Sequence, residues 1–266
     1  MRHGGERTGT TRAILAWIGL LLMAASLVWL QLWPESWQPV VTSVPATPED
    51  FFALVVLDPG HGGTDSGAMC AGVLEKDLTL DVAQRVQRLV HLQGFETVLT
   101  RQGDNYVSLS DRAAFANRQR DCIFVSIHFN DGKLEASSGV ETYYAVRQSY
   151  RGISFPSWLP FLQRTASQSP NLRSQSLASF IQDALVARTQ AVNRGTKAEQ
   201  FYVIENVRHP AVLVEGGFLT NKADVVKLES GEYREQMAAA ICEGILHYRD
   251  ALRSRQPALA VTTPGG

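Results

Sequence analysis

The chain has 266 residues, 45% of them hydrophobic, and a formal net charge of -1, which is length and apolar mass enough for one domain with a real core. Near-neutral charge, and the lack of any lysine and arginine cluster interleaved with aromatic residues, exclude the electrostatic footprint of a nucleic-acid-binding protein. Cys70, Cys122 and Cys242 lie far apart without CxxC spacing, so neither a thiolate zinc site nor a redox pair is indicated. Cys122 reads as a small core residue, and Cys70 is left to pair with either of the others.

In chain order, the first feature is an uncharged run from Ala13 to Trp33, "AILAWIGLLLMAASLVWLQLW", long enough to cross a hydrocarbon core of about 30 Å as a helix. Arg2, Arg7 and Arg12 precede it and Glu35 follows, which predicts a cytoplasmic N-terminus and the rest of the chain outside the membrane. A cleaved signal peptide is the competing reading, since Met23-Ala24-Ala25-Ser26 offers small residues near a cleavage position. The apolar run continues past them to Trp33, which favours a retained anchor. The predicted organisation is a cytoplasmic stretch at 1–12, an anchor at 13–33, a proline-rich tether at 34–50, a globular domain at 51–252 and a flexible tail at 253–266.

Within the domain, Ala53 to Asp58 reads as a buried strand ended by Pro59 and Gly60. A helix follows from Leu74 to Gln93, with Leu78, Val82, Val86 and Leu89 on one face and Gly94 stopping it. "FETVLT" is a second strand. Ser108 and Asp111 cap a helix to about Arg118 whose apolar face is Ala113, Ala114 and Phe115. "CIFVSI" is a third strand ending at His128, and "GVETYY" a fourth, with the alternation of an edge or half-exposed strand. Leu177 to Val192 is helical, "FYVI" and "AVLVEGG" are late strands, and Asn221 to Tyr248 supplies one or two helices. Strands alternating with amphipathic helices imply a three-layer α/β fold, a mostly parallel twisted sheet with helices on both faces.

In such sheets ligands bind beyond the carboxyl ends of strands, and the residues there are His61, His128 and Glu215, with Glu75 where the first helix begins. His61 sits in "DPGHGGTDSG", where it has three candidate jobs: metal ligand, proton carrier or turn residue. Glu75 alone is an ordinary first-turn glutamate. His128 follows an apolar run and needs a partner for its ring. Glu215, in "AVLVEGGF", is harder to explain as a bland residue, because burying an unpaired carboxylate costs several kcal/mol and calls for a cation or a raised pKa. Two histidines and a glutamate, with a fourth position left to water, are the donor set of a catalytic zinc site. His3, His91, His209 and His247 read as structural or solvated.

The segments "VVLDPGHGGTDSGA", "EKDLTLDVAQRV", "TR" at Thr100 and Arg101, "LSDRAAFAN", "FVSIHFN", "GVETYY", "NRGTK" and "PAVLVEGGFLTN" resemble, in order and spacing across about residues 53–250, the zinc-dependent N-acetylmuramoyl-L-alanine amidases of the AmiC and CwlV type. The resemblance implies that His61, Glu75 and His128 bind one zinc ion and that Glu215 is the catalytic carboxylate. It implies peptidoglycan as substrate, cut between the lactyl group of N-acetylmuramic acid and the L-alanine of the stem peptide. The glycines around His61 would then keep a path open for a bulky substrate. Arg194 is a candidate contact for substrate carboxylates or carbonyls, with a surface salt bridge as the competing reading.

Partners on this reading are the peptidoglycan, the cytoplasmic membrane through residues 13–33, and a candidate protein activator; no nucleic acid is expected. The catalytic domain would lie on the extracytoplasmic side, or be secreted if the leader is cleaved. The segment 145–176 contains no Asp or Glu, so it offers no acidic plug for a metal. Its Phe155, Trp158, Leu159, Phe161 and Leu162 suit a flap, a bilayer-facing surface or a partner dock. Two other function classes remain open at this stage: a zinc carboxypeptidase or deacetylase acting on another wall amide, and a wall-binding module without catalysis.

Overall fold

A computed structural model describes residues 52–132, 134, 136–148 and 171–254, with residues 17 and 23 besides. The chain divides into two compact units, Met1–Pro45 and Ala46–Gly266, and the folded domain belongs to the second. The predicted anchor at 13–33 lies outside the described residues apart from Trp17 and Met23. Among the described residues no helix is long and apolar enough to cross a membrane. Residues 149–170, the larger part of the segment without acidic residues, also lie outside them.

The elements run β1 (Leu54–Pro59), β2 (Met69–Cys70), β3 (Val73–Leu74), α1 (Glu75–Leu92), β4 (Glu96–Leu99), α2 (Leu109–Arg118), β5 (Cys122–Asn130), β6 (Val140–Tyr144), α3 (Leu172–Thr189), β7 (Asn193–Ala198), α4 (Tyr202–Glu205), β8 (Ala211–Phe218), α5 (Lys222–Glu229) and α6 (Gly231–Ser254). The main sheet has the order β4-β1-β5-β8-β6-β7. Strands β4, β1, β5 and β8 are mutually parallel, and the β6–β7 pair runs the other way, joined to β8 antiparallel. The sheet is therefore mostly parallel, as periodicity predicts.

Both faces are covered because the central strands are apolar on both sides, the pattern a buried parallel sheet requires. On one face Val55, Leu57, Ile123, Val125, Ile127, Val212 and Val214 pack with α1, α3 and α6. On the other, Val56, Phe124 and Leu213 pack with Ala113 and Ala116 of α2 and Val203 and Ile204 of α4. Burying each of the larger side chains stabilises the fold by about 1.5–3 kcal/mol. Helix α1 presents Leu78, Val82, Val86 and Val90 to this core, with Leu89 only partly buried.

Three expectations need correction. "FYVI" is the helical turn α4, not a strand; its Val203 and Ile204 are buried while Tyr202 is exposed, a spacing too short for periodicity to discriminate. "GVETYY" is neither edge nor half-exposed, since β6 is covered by β7 and α3, and Val140 to Tyr143 are all buried. "NRGTK" forms the actual edge strand β7. In α2 the inward face is Arg112, Ala113 and Ala116, and Ala114 is exposed. The Ser108 cap holds, its Oγ accepting the Asp111 N–H at 3.1 Å. All three cysteines are free, with Cys122 buried as expected.

Candidate metal centre

The site starts at the end of β1, where the chain leaves the sheet and must reverse. His61 itself takes φ 58, a left-handed conformation that costs a non-glycine residue about 1–2 kcal/mol. Two buried arginines offset this by binding the turn's carbonyls. Arg112 donates Nη1 to the Pro59 carbonyl at 2.6 Å and Nη2 to the His61 carbonyl at 2.6 Å. Arg101 donates Nη2 to the Gly60 carbonyl at 2.8 Å. Three successive carbonyls are thus held, and Arg112 is itself neutralised by buried Asp58, Nη1 to Oδ1 at 2.7 Å. Burial of two guanidiniums is tolerable because each is hydrogen-bonded.

Glu75 enters from the N-terminus of α1, and His128 from β5, inside the strand and not after it, since β5 continues to Asn130. Glu75 Oε1 lies 3.0 Å from His61 Nε2 and 3.0 Å from His128 Nδ1. The two rings meet edge to face with centroids 4.8 Å apart. One donor atom from each of the three residues falls within 4.8 Å of the others. Two imidazole nitrogens and a carboxylate oxygen in one cluster fit zinc by donor type.

The surroundings support that fit. Asp65 Oδ2 stands 2.9 Å from His61 Nδ1 as a charge contact without hydrogen-bond geometry, so the ring turns Nδ1 toward Asp65 and Nε2 toward Glu75, the side-on carboxylate arrangement typical of ligating histidines. Burial opposes a proton on His61, but Glu75 and Asp65 outweigh it and raise the pKa; the same two carboxylates favour any other cation there. Glu75 is fixed by the Phe129 N–H on Oε1 at 3.0 Å and the Ala68 N–H on Oε2 at 2.8 Å. Burial would raise its pKa, yet hydrogen bonds with His128 and His61 hold it well below the usual carboxylate range.

The glycine beside His61 has a different task from the one expected. A Cβ at Gly60 would lie 2.3 Å from His128 Cε1, so its space belongs to the second histidine ring and not to substrate.

Glu215 lies next to His128 in register, β5 to β8, and Glu141 lies opposite Glu215, β8 to β6. His128, Glu215 and Glu141 therefore form one row across three strands. Glu215 is half-buried as a residue, but its Oε2 is enclosed and has no hydrogen-bond partner among the described residues. Burial first, then the charges of Glu75 and Glu141, push its pKa well above 4.5. The four residues singled out from the sequence are thus neighbours here. Asp65, Arg101, Arg112, Glu141 and Lys197 had no role assigned. A glutamate alternating with apolar residues in "VETYY" and an arginine on the alanine face of a helix are the signals that could have found two of them. Arg194 is in an ion pair, Nε to Glu141 Oε2 at 2.8 Å. Of the other described histidines, His247 packs edge to face on Phe180 and His91 is exposed.

Known proteins share this arrangement of chain. The family pattern described as N-acetylmuramoyl-L-alanine amidase, Amidase_3, matches residues 55–247. The uncharacterized protein YqiI of Bacillus subtilis is 39% identical over 196 residues, covering 74% of this chain and 84% of that one. The N-acetylmuramoyl-L-alanine amidase LytC of Bacillus subtilis is 37% identical over 194 residues, 73% of this chain but only 35% of LytC. Among solved structures, the N-acetylmuramoyl-L-alanine amidase AmiC2 of Nostoc punctiforme superposes with a TM-score of 0.63 at 35% identity, over 76% of this chain and 98% of that one. The family match at residues 55–247 includes all four residues of the site, and the chain belongs to the N-acetylmuramoyl-L-alanine amidase family.

Proposed function

We propose that the domain hydrolyses the amide between the lactyl group of N-acetylmuramic acid and the L-alanine of the peptidoglycan stem peptide, with His61, Glu75 and His128 holding zinc and Glu215 carrying the proton. The observation behind this reading is the enclosed, unpartnered Glu215 Oε2 beside a three-donor cluster. A carboxylate left without a partner and with a raised pKa is a group suited to taking up and passing on a proton.

When bound, zinc supplies Lewis-acid polarisation of the scissile carbonyl and a lowered pKa for water. Glu215 takes one proton from the attacking water as the new C–O bond forms. It then returns that proton to the alanine nitrogen as the C–N bond breaks, leaving a lactyl carboxylic acid and a free amine, between which the remaining proton passes to give carboxylate and ammonium. Asp65 keeps the His61 ring oriented, and Arg101 and Arg112 keep its turn rigid. Anchoring through residues 13–33, with the domain on the outer face of the cytoplasmic membrane, belongs to the same proposal, as do the limits 51–252.

Digestion of purified sacculi with the protein, with and without a chelator, tests the reading by mass spectrometry. Intact stem peptides beginning with a free L-alanine amine are expected, lost with chelator and restored by zinc. Shortened stem peptides would indicate a carboxypeptidase instead, deacetylated sugars a deacetylase, and binding without any product a wall-binding module.

A further inference from the structure

We propose that Arg194 and Lys197, clamped on Glu141, form a subsite for a carboxylate of the stem peptide. The inference rests on the amidase reading above and extends it to what the site recognises. Glu141 is 1% exposed and its carboxylate is saturated. Oε1 accepts Tyr143 Oη–H at 2.6 Å and Asn130 Nδ2–H at 2.7 Å, and Oε2 accepts Arg194 Nε–H at 2.8 Å and Lys197 Nζ–H at 2.5 Å. With every lone-pair direction engaged, Glu141 acts as an anchor for the cations and not as a group for substrate to touch.

Charge does not balance at this anchor. Two cations meet one carboxylate, leaving a positive charge at the surface, with side-chain exposures of 32% for Arg194 and 37% for Lys197. Arg194 spends only Nε on Glu141; its two outer nitrogens make no hydrogen bond among the described residues, and its guanidinium lies over the Phe218 ring at 4.8 Å. A guanidinium fixed by one edge and stacked on an aromatic ring presents its free edge in a set direction, which suits an incoming carboxylate.

The backbone is shaped for this pairing. Residues three apart on a strand face opposite sides, so Arg194 and Lys197 would diverge in a regular β7. Between Val140–Asn193 and Thr142–Thr196 the register shifts by one residue, and Gly195 sits at φ 77. This glycine bulge restores the same facing to both cations. A Cβ at Gly195 would meet nothing within 4 Å, so the bulge faces open space.

Position supplies the ligand class. Glu141 stands beside Glu215, which stands beside His128. Two strand spacings are about 10 Å, or roughly three residues of extended peptide. A carboxylate within the first three residues of the stem peptide reaches Arg194 and Lys197 when its first amide is at the metal.

The test uses two matched muramoyl-peptides, one with free stem carboxylates and one with the same groups amidated. Wild-type protein is expected to prefer the free acid through KM by about tenfold, and Arg194→Gln with Lys197→Gln to erase the preference. Arg194→Lys, which keeps the charge but loses the fork, should restore part of it. Calorimetric binding of the two free stem peptides to Glu215→Gln protein reads the same preference without turnover. Equal KM values in wild-type protein, or a preference that survives the double substitution, would overturn the subsite. If wild-type protein cleaves neither substrate, the amidase reading fails; the calorimetric preference then decides the subsite by itself, standing if the acid binds more tightly and falling if the two bind alike.

Discussion

Glu141 and Glu215 occupy adjacent strands in the same row of the sheet, and their surroundings treat them in opposite ways. Around Glu141, burial would raise the pKa, but hydrogen bonds from Lys197, Tyr143 and Arg194 outweigh it and keep the carboxylate ionised. Around Glu215 no such donor stands among the described residues: burial comes first, the charges of Glu75 and Glu141 add to it, and the proton is held far more tightly. The ionised state of Glu141 thus helps to hold its neighbour's proton. Two carboxylates one strand apart become a fixed negative charge and a group that holds its proton because of what surrounds them, the pattern that suits the proton-carrying role proposed for Glu215.

The largest effect comes from breaking the proposed metal site beside Glu215. His128→Ala should lose zinc by elemental analysis and turnover with it, since a three-donor site has no spare ligand. Next, Glu215→Gln should keep zinc while kcat falls on the order of 10²–10⁴-fold. Retained activity in this variant would end the assignment of Glu215 as proton carrier. Glu141→Gln attacks the other member. It leaves Arg194 and Lys197 without their counter-charge and should cost about 1–3 kcal/mol in urea unfolding.

The smallest effect is a slope with pH. In chelated protein, the folded-state pKa of Glu215 lies above its ordinary value of 4.5. Its contribution therefore favours folding below that value and is lost as pH rises through the folded pKa, because the folded state binds more protons in that window. Unfolding measured from about pH 4 to 8 should show Glu215→Gln gaining stability relative to wild type as pH rises. A difference that stays flat would mean that Glu215 is not desolvated as described.

Much of this was legible in the chain. The valine and leucine runs of β1, β5 and β8 could only be strands buried on both faces, and the apolar stripe of α1 could only be a helix on a sheet. The strand-end rule then singled out His61, His128 and Glu215, with Glu75 at the start of α1. Legibility failed where neighbours, and not local pattern, set the outcome. β6 alternates like an edge strand, yet a less apolar strand, "NRGTKA", covers its flank. "FYVI" has strand composition, but four residues with Val203 and Ile204 buried close as a helical turn. The glycine beside His61 suggested room for substrate, whereas the room at Gly60 is filled by the ring of His128, which a different strand, β5, brings in from far along the chain.

The sequence by itself determined the donors and the layers: which side chains carry nitrogen or oxygen, which segments must be buried, and therefore which strand ends can meet. Only the tertiary structure decided the protonation roles. Whether a buried glutamate finds four donors or none depends on groups brought from distant positions, Asn130, Arg194 and Lys197 for Glu141, and on the β7 bulge that turns two of them the same way. Ionisation is set by the summed field and hydrogen bonds at one point in space, and no local stretch of sequence contains that sum.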